Sequence, residues 1–507
     1  MRLLQVLSQW MSNRGLGIPV HSRHCDPLSR EHQTLFNLTK MERGFLMKSL
    51  HHYGTTQVFC LLQLAGPQLE VDLLGSALRR LQMQHPFLRC RPRFINNRFL
   101  FEHSWEVSIP IYRSSFSWSE TWSRIQKEVA LFWESTAQVW LIWDEQAQRN
   151  DLIVSLSHAI CDGASAHTLI QELVQILNSY GTSIDSGVEE SIDLSQVCLY
   201  LPRASSSLVF SSISVARLFD SIGFILESLW HASSLNSLRI KGFEGRLSPE
   251  ELAEKNRTIP RVIEVNADVL SRLQFQSKMY STSLTAIVTS AYAEALRVSC
   301  VSSRQKSWLE SLRAKILKSY VKIIWPVQLR SLYSGEKVKD DLSMHTSFLT
   351  LSVPIDGGEV SVSELWSRAV KLGQNARKKI KRRVPLVFSY IAARATATPL
   401  SRSPRGHSAL FSISSLGRLN IAESSGRWSL LNFNIFCQLA SCKHPSLIVF
   451  TQDQRLIITL LASYPTIDQS WIERLEIMLQ STLERMAQAD HSDGIDLNFN
   501  RFSSVNR

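Results

Sequence analysis

The residues best placed to do chemistry lie in DLIVSLSHAICDGASAHTLIQEL, Asp151 to Leu173. His158 closes an apolar run of strand composition, and Asp162 and Gly163 follow before a helical pattern begins. A histidine at the end of a strand can project into a cleft. Its unperturbed pKa, close to neutrality, suits a general base. Asp162, four residues on, either fixes the loop or orients the imidazole. Gly163 lets backbone approach closely without a Cβ, and suits a positive φ. In a chain with 14 histidines a chance His-x-x-x-Asp-Gly is uncommon. The bland alternative is a structural histidine in a strand-to-helix turn. Ser165 is expected to cap the helix in preference to lining the cleft. His167 reads as an ordinary helix histidine, and Cys161 as a small buried filler, not a nucleophile.

Sheet and helix must surround this motif. From Leu35 to Phe94 the pattern reads helix, strand, helix, strand. TTQVFCLLQLAG is the first strand. Leu73, Leu74, Ala77, Leu78 and Leu81 recur at helical spacing until Pro86 ends the helix. FLRCRPRF reads as a strand, turned at Asn96-Asn97 into RFLFEHSW. WSRIQKEVALFWES is helical by period, VWLIWD and DLIVSLS are strands, and Ala164 to Tyr180 is a helix with Leu169, Leu173 and Ile176 on one face. Residues 181 to 207 are Ser-rich and irregular. They lead into SLVFSSISVARLFDSIGFILESLW, Ser207 to Trp230, where Arg217, Asp220 and Glu227 break an apolar run. A helix packed on its own protein is expected there, with interfacial membrane docking as the alternative.

Beyond Arg257 the grammar repeats. RVIEVNADVLSRLQFQSKMY offers a strand and a helix, and TSLTAIVTSAYAEAL a helix capped by Ser or Thr. Residues 301 to 320 read as an insertion. KIIWPVQLRS, SFLTLSVPI, ALFSISSLG and SLIVFTQDQRLIITLLAS read as strands or hairpins, and Leu365 to Ile380 and WIERLEIMLQSTLERMAQA as helices.

The chain has 507 residues, 44% of them hydrophobic and 20% charged, enough to bury a core in two lobes and too few charges for a disordered chain. No eighteen-residue stretch is apolar and charge-free, which excludes a polytopic membrane protein. Lys plus Arg is 56 against 44 Asp plus Glu, a net charge of +12 that favours polyanions. The densest run, Arg377, Lys378, Lys379, Lys381, Arg382 and Arg383, reads as a solvated helix face, with phosphate binding or nucleic-acid contact as alternatives. No nucleic-acid-binding module accompanies it. The 8 cysteines include no Cys-x-x-Cys pair, so neither a zinc site nor a redox motif is expected, and a reducing intracellular setting is the default. His51 and His52 lack a second cluster and read as surface residues. Gly357-Gly358 reads as a turn, not a phosphate loop. The N-terminus has no acidic residue before Asp26 and resembles a weak transit peptide, though a frayed leader or an extra helix is the expectation.

SLSHAICDGASAHTLIQEL resembles the active-site strand, turn and helix of the condensation-domain and CoA-dependent acyltransferase superfamily, which includes chloramphenicol acetyltransferase-like folds, fungal alcohol O-acetyltransferases and polyketide-associated acyltransferases. LTKMERGFL, LLGSALRRLQMQHPFLRCR, TSLTAIVTSAYAEAL, WPVQLRSLY and FSISSLGRL resemble further patches of that family, so the likeness spans about Leu35 to Ala489. The resemblance implies a mixed α/β fold of two chloramphenicol acetyltransferase-like lobes with the active site in a tunnel between them. Residues 1–34 would then be an extension, 35–185 the N-terminal lobe, 186–256 the connection, 257–490 the C-terminal lobe and 491–507 a tail.

The activity implied is acyl transfer from a thioester, an acyl-CoA or acyl carrier protein, to an alcohol. His158 matches the catalytic histidine and Asp162 a structural aspartate that pairs with an arginine, for which Arg330 in WPVQLR is the candidate. Ser414, Ser415, Gly417 or the Gly163 amide would serve the oxyanion or the donor. Ser157 before His158, where peptide-forming condensation domains carry a second histidine, fits the ester-forming members. The plant Asp-Phe-Gly-Trp-Gly sequence is absent, and Ser415 stands where the family often has Asn. No tightly bound cofactor and no metal are expected, the thioester being a co-substrate. The expected partners are that donor and a small-molecule or lipid alcohol, with no nucleic acid. A cytoplasmic monomer is expected, with peripheral membrane contact left open. The alternative is a non-catalytic condensation-like module that binds a carrier protein or another partner.

Overall fold

In a computed structural model the described residues are 20–21, 34–51, 56–126, 133–186, 208–209, 212–213, 223, 226–227, 257–301, 319–333, 342–355, 360–394, 411–419, 426–439 and 444–489. Most of segment 1–34, most of the 301–320 insertion, His52, Gly357-Gly358 and the tail 491–507 lie outside them. The N-terminal part runs β1 (Val20–His21), β2 (Thr34–Asn37), α1 (Lys40–His51), β3 (Val58–Ala65), α2 (Val71–Gln84), β4 (Cys90–Ile95), β5 (Arg98–His103), β6 (Ile111–Ser114), α3 (Trp118–Ile125), β7 (Ala137–Asp144), β8 (Arg149–Leu156) and α4 (Gly163–Ser186). The C-terminal part runs β9 (Arg257–Val265), α5 (Ala267–Met279), α6 (Leu284–Val301), β10 (Ser319–Gln328), β11 (Thr346–Ile355), α7 (Val362–Lys381), α8 (Val384–Arg394), β12 (Phe411–Arg418), β13 (Ser429–Cys437), β14 (Ser446–Gln452), β15 (Arg455–Tyr464) and α9 (Gln469–Gln488).

The elements assemble into two mixed α/β lobes. One holds a five-stranded sheet in the order β13-β3-β8-β7-β6 and a small sheet β1-β2-β5-β4; the other holds a six-stranded sheet, β11-β10-β12-β14-β15-β9. Strand alternation explains how β15 serves both cores. Leu456, Ile458 and Leu460 face the C-terminal helices, while Ile457 and Leu461 join the N-terminal core. With both faces covered, the strand reads as a continuous apolar run. α6 is apolar nearly all round because it is packed by α5, α7 and α9. Ser283 caps it, its Oγ accepting from the Ala286 N–H at 3.2 Å.

Local signals placed most elements. Leu74, Ala77, Leu78 and Leu81 are the buried stripe of α2. Asn96 and Asn97 both take positive φ, as a tight hairpin turn between β4 and β5 demands. Three expectations are corrected. Phe87–Arg89 belongs to a 3-10 turn begun by Pro86, and the strand starts only at Cys90, since proline presets the first turn. The helix after the motif continues to Ser186, past Tyr180. The helix expected from Trp122 starts at Trp118, capped by Ser117 through the Glu120 N–H; residues 127–132 of that segment lie outside the described ones.

β13 was not read from the sequence, and it alters the lobe partition. It follows β12 in the C-terminal half, yet it pairs antiparallel with β3, Ser429 opposite Ala65 through Cys437 opposite Val58. Trp428, Phe433, Ile435 and Phe436 are therefore part of the N-terminal core. Residues 257–490 accordingly do not form one lobe: this strand crosses over because its apolar face is buried only there. α8 was likewise unforeseen, its pattern being masked by the basic run before it.

Of the described residues of Ser207–Trp230, the first part packs on the protein itself, while Gly223 and Leu226 are exposed. Leu208 and Val209 are buried with Leu329, Tyr333 and Leu386. No helix among the described residues is long and apolar enough to cross a membrane. The basic run is not a uniform solvated face. Lys379 is fully buried, donating to the Thr350 carbonyl at 3.1 Å and pairing with Glu227 at 3.0 Å.

Candidate active site

β8 delivers His158 at its C-terminal end, and the turn 158–161 leads into α4. His158 is partly exposed. Its Nδ1 lies 2.7 Å from the Cys161 carbonyl oxygen. A carbonyl only accepts, so Nδ1 carries the proton and the neutral ring keeps its lone pair on Nε2. That is the tautomer a general base needs. Phe45 stacks on the ring at 4.3 Å between centroids. Phe45 reaches it because α1 opens with a capping box: Thr39 N–H donates to Glu42, and Glu42 N–H to Thr39 Oγ1. The Thr-x-x-Glu spacing in LTKMERGFL carried that signal, but nothing in the sequence pointed Phe45 at His158.

Asp162 turns away from the imidazole and into the lobe junction. Its side chain, not that of Ser165, caps α4: Oδ1 accepts from the Ser165 N–H at 3.0 Å. The expected Ser165 cap is thereby corrected, because Ser165 Oγ is itself engaged by Asp162 and by the Ser343 carbonyl at 2.8 Å. Arg330 Nη1 reaches both Asp162 oxygens, at 3.2 and 3.0 Å, and its Nη2 donates to Ser165 Oγ and the Ser343 carbonyl. Asp162 Oδ2 also accepts from the His345 N–H at 2.9 Å and from Thr346 Oγ1 at 3.2 Å. Asp162 and Arg330 are both buried. Burial alone would raise the Asp162 pKa, but the Arg330 charge and the Ser165 and His345 amides outweigh it and hold the carboxyl below its usual value.

His345 escaped the sequence reading altogether. Its buried ring shares a hydrogen bond with Tyr333 Oη, 3.0 Å from Nδ1. Burial first, then the Arg330 charge, push it down to about 4, so it is neutral near pH 7. Cys161 is no nucleophile: burial drives its thiol well above the usual value, and Sγ–H donates to the Asp162 carbonyl. His167 is half-buried on α4.

Gly163 does not have a positive φ. It is needed for closeness: a Cβ there would come within 2.3 Å of Leu416 Cδ2 on β12. Leu416 packs against the N-terminal core, while its neighbours Ser415 and Gly417 line a half-open cavity of about 190 Å³ with Thr285, Gln274, Arg418 and Leu284. Ser415 Oγ accepts from Thr285 Oγ1 at 3.0 Å, and Gly417 takes φ +75° at a bulge in β12. His158 does not line that cavity, so it does not trace the tunnel expected between the lobes. The structure thus gathers Asp162, Gly163 and Arg330 at the turn carrying His158, and places Ser415 and Gly417 around the flank of Leu416. Ser414 lies between them and the core residue Ile413.

No family profile and no curated protein matches the chain. Solved structures do match. TRI3 trichothecene 15-O-acetyltransferase from Fusarium sporotrichioides is 10% identical, with a TM-score of 0.70 over 93% of this chain and 100% of its own. Polyketide synthase associated protein 5 from Mycobacterium tuberculosis is 14% identical, with a TM-score of 0.59 over 88% of this chain and 98% of its own. The condensation domain of the Monacolin K polyketide synthase MokA is 11% identical, with a TM-score of 0.57 over 89% of this chain and 97% of its own. The fold is that of the condensation-domain and chloramphenicol acetyltransferase-like proteins.

Proposed function

We propose that this chain uses that fold for acyl transfer from a thioester to an alcohol, with His158 as general base. One observation carries the reading: the Nδ1–H bond to the Cys161 carbonyl leaves Nε2 as the basic nitrogen of a partly exposed imidazole. Nε2 takes the proton from the acceptor hydroxyl as its oxygen attacks the thioester carbonyl carbon. The tetrahedral intermediate collapses by breaking the C–S bond, and the Nε2 proton passes to the departing thiolate. Atoms and charge balance with no covalent acyl-enzyme. Donors aimed at the developing oxyanion are what such a site needs, and Ser414, Ser415 and the Gly163 and Gly417 amides are the candidates. The donor, an acyl-CoA or an acylated carrier protein, acts as a co-substrate, and the acceptor is a small-molecule or lipid alcohol.

The test is thiol release from a panel of acyl-CoAs and acyl-carrier thioesters with mixed alcohols, followed by mass spectrometry of the ester. His158→Ala should lower kcat by roughly 10²–10⁴-fold, the usual contribution of a positioned base. Ester formation that survives His158→Ala would overturn the assignment. Tight carrier binding without turnover would favour a non-catalytic module.

A further inference from the structure

The Asp162 lock rests on a second layer. Arg330 stands on a 3-10 turn, Arg330–Leu332, whose next residue is Tyr333. Leu329, just before the turn, donates its N–H to the His345 carbonyl at 2.7 Å, while the His345 N–H donates to Asp162 Oδ2. The backbone of His345 therefore grips both the turn that carries Arg330 and the carboxylate that Arg330 pairs with. What fixes His345 is its own ring. The ring bonds Tyr333 Oη at 3.0 Å and meets the Tyr333 ring edge-on, 5.6 Å between centroids and 76° between planes. Tyr333 is in turn buried among Leu208, Val209, Leu329 and Leu386. The series runs from the packed residues 208–209 through Tyr333 and His345 to Asp162, and from Asp162 along the turn to the Cys161 carbonyl that sets the His158 tautomer.

We propose that Tyr333 and His345 are positioning residues for His158, acting through the Asp162–Arg330 pair. Neither touches the reacting atoms. The hydrogen bond between their side chains clamps the 3-10 turn against the start of β11, and so fixes where the Asp162 carboxylate and the His158 turn stand. The proposal rests on the acyl-transfer reading for its kinetic consequence, but its structural consequence, the His158 tautomer, is independent of turnover.

Two variants separate positioning from packing. Tyr333→Phe keeps the ring among Leu208, Val209 and Leu386 and removes only the hydroxyl. His345→Asn keeps a side chain with both a donor and an acceptor near the Nδ1 position, so it can bond Tyr333 in either polarity. Tyr333→Phe and His345→Ala should each lower kcat about tenfold with KM within twofold, the scale of one lost buried hydrogen bond expressed in the transition state. His345→Asn should recover kcat to within about threefold of the native enzyme. Imidazole ¹⁵N shifts of ¹⁵N-histidine-labelled protein read the tautomer directly. His158 should be Nδ1-protonated in the native chain and in His345→Asn, and mixed in Tyr333→Phe and His345→Ala.

Native kcat and an unchanged His158 tautomer in Tyr333→Phe would overturn the proposal. So would a loss in His345→Asn equal to that in His345→Ala. If the native chain turns over no thioester–alcohol pair, acyl transfer falls, and a tautomer shift in Tyr333→Phe still upholds the positioning role.

Discussion

Among the described residues, two junctions between the halves of the chain are made by opposite means. At the candidate site the junction is polar: Asp162 from the N-terminal lobe meets the Arg330 and Thr346 side chains and the His345 N–H of the C-terminal one, and Ser165 Oγ donates to the Ser343 carbonyl. At the far edge it is made of backbone and apolar packing. β13 completes the sheet beside β3, and its end is held by Thr56 N–H to the Gln438 carbonyl at 2.8 Å and Gln438 N–H to the Gln57 carbonyl at 3.0 Å. Gln126 and Thr258 bridge the same edge, Gln126 Nε2 donating to the Thr258 carbonyl at 3.2 Å. Upstream, Asn178 pairs with the Trp428 backbone at 2.9 Å in both directions. A polar lock specifies where groups stand but gains little net stability, because desolvating two charges offsets their attraction. A strand seam stabilises by burial and is indifferent to the chemistry. On the proposed function the first junction serves positioning of the site, and the second serves folding.

The largest expected effect breaks the first junction. Asp162→Ala leaves Arg330 buried without its carboxylate and should cost roughly 3–5 kcal/mol in denaturant unfolding, together with nearly all activity. Replacing both partners, Asp162→Leu with Arg330→Met, should recover most of the stability and none of the activity. Recovery of activity would erase the distinction between the junctions. Next comes the seam. Phe433→Ala removes a fully buried ring and should cost about 3–5 kcal/mol, yet the protein that remains folded should keep its kcat at lowered temperature. A kcat loss as deep as that of Asp162→Ala would show that the seam also positions the site.

Acid sharpens the contrast. His345 and His103 are held neutral, down to about 4 and about 3, by burial first and then by Arg330 and Arg89 respectively. Unfolded histidine binds its proton near 6.5, so the unfolded chain takes up protons that the native one refuses. Stability from these groups is complete above about pH 6.5 and falls by about 1.4 kcal/mol per pH unit per group as the pH drops toward 4. His345→Asn should remove one group's share of that slope, measured by urea unfolding across pH 4–7. The smallest effect is at Gly163→Ala, where the end of the Leu416 side chain must give way to the new Cβ; about 1 kcal/mol is expected from thermal unfolding.

The two junctions were not equally legible. The polar lock has a local signature at one end, His-x-x-x-Asp-Gly, where a tight turn demands particular residue types at fixed spacing; at the other end Arg330, on the 3-10 turn just past β10, is picked out by the resemblance of WPVQLRSLY to the family. The seam has none. SLLNFNIFC is a short, mixed run with two asparagines, and only its neighbour β3 makes it a strand. Lys379 shows the same gap: within a basic run it looks solvated, and its burial against Thr350 and Glu227 depends on chain from elsewhere.

Sequence alone determined the helix and strand periods and the His-x-x-x-Asp-Gly turn, because these follow from residue type and near spacing, while the Arg330 candidate came from the family resemblance. Tertiary structure decided which sheet β13 entered, which residue capped α4, that Gly163 was needed for Leu416 and not for its own φ, and that Phe45, Tyr333 and His345 surround the motif. Those outcomes turn on which surfaces meet once distant segments are brought together, and burial between segments leaves no mark on the order of residues within either one.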